Sequence, residues 1–123
     1  MTLENEKRFL LLLSSEKCGN GATKADVLNK IETNGWIILT DNDQKMKENR
    51  NELVWRNDIA FTRKHLAQEG MFVDGIRNDW SITEVGKQKL KELAEEVSHE
   101  NSFKKISNKL VAEVKTNKIL IFR

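Results

Sequence analysis

The sequence predicts a mainly helical α+β domain with one small β-hairpin and a C-terminal extension. Three observations lead there. Proline is absent from the 123 residues, and charged residues make up 33% against 38% hydrophobic, a profile that suits a helix-rich globular chain. Apolar residues recur at helical spacing in several separate stretches. One of these runs into "MFVDGIRNDWSIT", where strand-forming residues flank a turn-rich centre in the manner of a hairpin.

"NEKRFLLLLSSEKCG" predicts the first helix, apolar almost all round in its middle and therefore central to the core. "GNG" breaks it. In the second helix, "ATKADVLNKIETNG", Thr23 can cap the N-terminus with Asp26 as its reciprocal partner. Val27, Leu28 and Ile31 share its buried face, and Gly35 stops it. "WIILTDND" is a short apolar run, either a brief strand or a buried connector. "DNDQKMKENRNE" predicts a charged, solvated loop with a helical turn after Thr40.

The third helix starts near Trp55 and ends at Gly70. On a helical wheel Ile59, Thr62 and Leu66 cluster with Trp55 as a core stripe, and Arg56, Ala60, Arg63 and Ala67 line up on what reads as the far side, flanked by Lys64 and Asn57. Long cationic side chains alternating with alanine suit close approach to a polyanion. The hairpin over about 71–83 carries Arg77 near its tip. Thr83 caps the last clear helix, "EVGKQKLKELAEEV", with Lys87, Lys89 and Lys91 in its early turns. "SHENS" is a break, and the tail beyond it is read as helix then strand without a decision. The domain is placed at residues 1–97, with 98–123 as an extension serving dimerisation or linkage.

This order of elements describes a winged helix-turn-helix, with the third helix (about 56–67) in the DNA major groove and the hairpin as its wing. Arginine suits both positions because its planar fork matches guanine's edge or a phosphate with two parallel hydrogen bonds. The DNA-contact candidates are Arg56, Asn57, Arg63, Lys64, Arg77 and Asn78. Phe61 and Trp80 form either a pocket for a modified base or the packing that braces the wing. Arg63 either touches DNA or pairs with a loop carboxylate, and Lys87 and Lys89 either hold phosphate or face solvent.

The stretch resembles the N-terminal domain of Mrr-type restriction proteins. The pattern N-R-V-x-W-A-R-x-Y-L is matched by Asn57, Ile59, Phe61, Arg63 and Leu66, with Phe61 where the family has tryptophan and His65 where it has tyrosine. Gly70 matches the glycine stop. Arg77, Trp80, Ile82, Thr83 and Gly86 match R-G-x-W-x-I-T-x-x-G. Asp58 replaces an arginine, which weakens the carry-over of a base or phosphate contact to position 58, and Asn78 replaces a glycine. The resemblance covers about residues 5–95. It implies a winged-helix DNA-binding module, usually joined to a nuclease domain, with methylated-base recognition known among related domains.

Other chemistry is excluded or set aside. Net charge is +2 and the pI about 8.7, so no global basic field marks a nucleic-acid binder and any positive charge must gather on one face. The single Cys18 cannot form an internal disulfide, which suggests a reducing, cytoplasmic setting. The start carries two glutamates before an apolar run of only five residues, whereas a signal peptide needs a basic start and a longer apolar core, and no run is long enough to span a membrane. His65 and His99 are too isolated for a metal site, and no phosphate-binding glycine loop is present. Glu113 and Lys115 have the carboxylate-x-lysine spacing of metal-dependent nucleases, but no aspartate lies between Asp79 and Glu113 to complete such a site. The expectation is a non-enzymatic module without cofactor. Its partners would be double-stranded DNA, a second copy of the chain and a fused or associated nuclease. The alternative is a protein-interaction or dimerisation module on the same scaffold.

Overall fold

A computed structural model describes residues 1–116. Helix α1 (Leu3–Cys18) is the hub, with α2 (Lys24–Thr33), α3 (Val54–Gln68) and α4 (Glu84–Ser98) packed around it, and α5 (Asn108–Lys115) set against α4. Phe9 to Leu13 are all fully buried, as a helix apolar on every side must be when neighbours surround it. Each such side chain contributes about 1.5–3 kcal/mol by leaving water.

Local signals set the helix ends. Thr23 and Asp26 form the reciprocal capping box of α2, and the Thr83 hydroxyl accepts from the Gly86 amide at the start of α4. A single 3-10 turn, Asn42–Gln44, follows Thr40. Gly70 closes α3 with φ +80°, a conformation that L side chains rarely adopt.

The expected β-hairpin wing does not form. Among the described residues there is no strand or sheet, only isolated antiparallel bridges, one of which joins Phe72 to Ile82. Residues 71–83 double back as a loop in which the Val73 amide donates to the Ser81 carbonyl and the Thr83 amide to the Met71 carbonyl. The ladder stops there because its other polar groups have different partners. Arg63 takes the carbonyls of Val73 and Asp79. The Trp80 amide donates to the Ala22 carbonyl, and the Ser81 hydroxyl accepts from the Gly21 amide. The loop is pinned to α3 and to the α1–α2 connection, and its own pairing does not extend into a ladder.

"WIIL" is a connector with Trp36 and Ile37 buried and Ile38 exposed, and with one bridge, Ile37 to Ile106. Residues 98–116, read as an extension, close the same core, with Ile106, Leu110, Val111 and Val114 buried. The carboxylate of buried Glu6 accepts from the amides of Lys104, Lys105 and Ile106 at 2.9, 2.7 and 3.1 Å. The tail strand considered from the sequence lies outside the described residues.

Candidate nucleic-acid interface

Helix α3 buries Trp55, Ile59, Thr62 and Leu66. Its solvent side carries Phe61, Lys64 and Gln68, with Asn57 half-buried beside them. The arginine–alanine stripe therefore does not form the far side. At 100° per residue it centres about 100° from the core stripe, which makes it a flank. Arg56 Nη2 donates to Asn29 Oδ1 and Glu32 Oε1 of α2, both at 2.8 Å, and its guanidinium lies 4.9 Å from the centroid of the Trp55 ring.

Arg63 faces the loop. Its Nη2 donates to the Val73 and Asp79 carbonyl oxygens, each at 2.8 Å. The guanidinium lies 5.6 Å from the Trp80 ring centroid and 5.8 Å from that of Phe72. It pairs with loop carbonyls, not with a loop carboxylate. Hydrogen bonds from Ser81 hold the Asp79 carboxyl below its ordinary value.

The remaining candidates separate by exposure. Lys64 and Arg77 are exposed. Asn78 has φ +55°, a left-handed conformation that asparagine tolerates, and its Oδ1 accepts from the Lys24 amide at 3.2 Å. Trp80 is 6% exposed and Phe61 59%. A buried ring offers no face to an inserted base, so the structure does not bring these two together as an open pocket. Phe61 instead meets His65 edge-on, with centroids 4.7 Å apart. Lys87 pairs with Glu84 and Lys89 with Glu92. Gln68 was not singled out from the sequence, although its wheel position, about 140° from Trp55, was a usable signal.

The carboxylate-x-lysine pair lies on α5, where residues two apart point in different directions. Glu113 accepts from the Trp36 indole at 3.1 Å and pairs with Lys109, while Lys115 donates to Asn101. Burial pushes the Cys18 thiol up from its ordinary value. Among the described residues no group of three or more His, Cys, Asp or Glu side chains could hold a metal, and no helix is long and apolar enough to cross a membrane.

Arg63, Trp80, Thr83 and Gly86, which carry the resemblance seen in the sequence, are thus tied into one structural unit. The family model for the Mrr N-terminal domain matches residues 6–92. The chain belongs to this family. The Mrr N-terminal domain match places it in a restriction-system context, and the folded body extends beyond the match to Val114. Comparison with curated proteins and with solved structures gives no match in either case.

Proposed function

We propose that the chain is a duplex-DNA-binding module of a restriction-type system, contacting DNA with the outward side of α3 and the tip of the 71–83 loop. One observation carries the reading. Arg63 fixes the root of the loop on α3, so exposed Arg77 belongs to the same rigid unit as exposed Lys64. Lys64 and Arg77 supply phosphate contacts, and Asn57 and Gln68 supply side-chain amides suited to an adenine edge. Arg56, Arg63 and Asn78 position these elements and do not reach for DNA themselves. A module of this size buries roughly 600–1,000 Å² on DNA. With a net charge of only +2, binding by one copy is weak and salt-sensitive. A second copy or a linked nuclease raises it.

Methylated-base reading is the finer form of this proposal and rests on Phe61, the exposed member of the aromatic pair. Titration of unmodified, adenine-methylated and cytosine-methylated duplexes tests it. Preference for one methylated duplex that disappears in Phe61→Ala supports base reading. Equal binding to all three removes it and leaves a general DNA anchor.

A protein-docking role is the second reading, favoured by the 59% exposure of both Phe61 and Ile76. Charge reversal at Lys64 and Arg77 separates the two, since it abolishes DNA binding and leaves apolar docking largely intact.

A further inference from the structure

We infer that the turn at residues 45–54 is a second phosphate-contacting site, which grips the DNA backbone from the N-terminal end of α3. The inference rests on the DNA-binding reading above and adds a surface that reading does not use.

The segment looks like an ordinary charged loop in the sequence, yet it is a built turn. The Val54 amide donates to the Lys45 carbonyl at 2.8 Å, the Lys47 amide to the Glu52 carbonyl at 2.7 Å, and the Arg50 amide to the Lys47 carbonyl at 3.0 Å. Met46 bridges Leu53, and Asn49 makes the reversal with φ +62°. Because Val54 is the first residue of α3, the turn is hydrogen-bonded directly to that helix.

Its charge is concentrated and only partly opposed. Lys45, Lys47 and Arg50 are all exposed, and none has an ion pair among the described residues. Glu52, by contrast, is paired with Lys24 at 2.6 Å, which leaves Glu48 as the one acid of the turn without an ion pair among the described residues. The first turn of α3 contains no acidic residue either. A fixed cluster of cations loses less conformational freedom on binding a polyanion than a loose loop does.

Position gives the cluster a use. Val54 and Lys64 lie ten residues apart along α3, a rise of about 15 Å. The DNA major groove is about 12 Å wide. Cations toward the two ends of a helix laid across it would meet the phosphates of opposite walls, with Lys45, Lys47 and Arg50 on one and Lys64 on the other.

The test is the salt dependence of duplex binding by the full chain and by the triple variant Lys45→Gln, Lys47→Gln, Arg50→Gln, with thermal melting as the folding control. Each phosphate contact contributes about 0.9 to the slope of log affinity against log salt, so the variant should lose about two to three units of slope, uniformly across sequences, while melting as the wild type does. Unchanged slope and affinity in the variant, beside clear binding by the wild type, would overturn the inference and leave the α3 reading standing. No duplex binding by the wild type at low salt removes that reading, and this inference with it.

Discussion

The guanidinium of Arg63 lies 5.6 Å from the ring centroid of Trp80, so two residues of the family pattern touch in the folded chain. Cation–aromatic attraction operates at this distance, and the two carbonyl contacts of Arg63 hold the same loop. Arg63→Gln is expected to cost about 2–3 kcal/mol, the scale of losing charged hydrogen bonds to partly buried acceptors. Lysine, a point charge without the planar fork, should recover little of it. Chemical denaturation with amide exchange at Val73 and Ser81 checks this. Unchanged protection of both amides would contradict the bracket role.

Gly86 is required by space. A Cβ there would sit 2.2 Å from the Met71 carbonyl oxygen and 3.2 Å from Ile82 Cβ. Gly86→Ala must push the 71–83 loop away from α4 and should lower stability by about 1–3 kcal/mol, despite alanine's better helix propensity. Gln88→Ala, on the exposed side of the same helix, should stay within about 0.5 kcal/mol of the wild type. Equal melting of the two variants would count against the close approach.

Glu6 joins the first helix to the chain's far end through three backbone amides. Removing its carboxylate in Glu6→Ala leaves buried donors without an acceptor, at an expected cost of about 2–4 kcal/mol. Glu6→Gln keeps one oxygen and should cost less. If residues 104–106 exchange their amide protons no faster in Glu6→Ala than in the wild type, the carboxylate is not what holds them.

Acid should weaken the fold through three carboxyls. Burial pushes Asp43 up, but Lys105 and Thr40 together hold it below its ordinary value. Arg8 lowers Glu69, and Ser81 lowers Asp79. Folded values below unfolded ones mean that their stabilisation is fully present above the ordinary carboxylate range near about 4 and is lost as pH falls through the lowered folded values. Denaturation midpoints should therefore drop below about pH 4, and Asp43→Asn should flatten part of that decline. An identical acid limb in wild type and variant would rule Asp43 out as a contributor.

What the sequence revealed was mostly local. The capping box of Thr23 and Asp26, the cap at Thr83 and the stop at Gly70 involve residues a few positions apart, and each is legible from residue type and spacing. The β-hairpin was misjudged because what competes with its ladder comes from elsewhere in the chain, namely Arg63, Ala22 and Gly21. Helical periodicity located α3 and its buried side, but the stripe of Arg56 and Arg63 proved to be a flank, where α2 and the loop engage both arginines. For the 45–54 turn, composition alone does not distinguish an organised cluster of cations from a solvated charge run. Glu6 gave no signal either, since its donors lie at the other end of the chain.

The central claim is that Lys64 and Arg77 present one DNA-binding surface. Fluorescence anisotropy with a labelled duplex, at low and moderate salt, tests it most directly by comparing the wild type with Lys64→Glu, Arg77→Glu. Both side chains are exposed, so the variant should fold and melt as the wild type does. The account predicts salt-sensitive binding by the wild type and its loss in the variant. Equal binding by the two proteins, or none by the wild type, would contradict it.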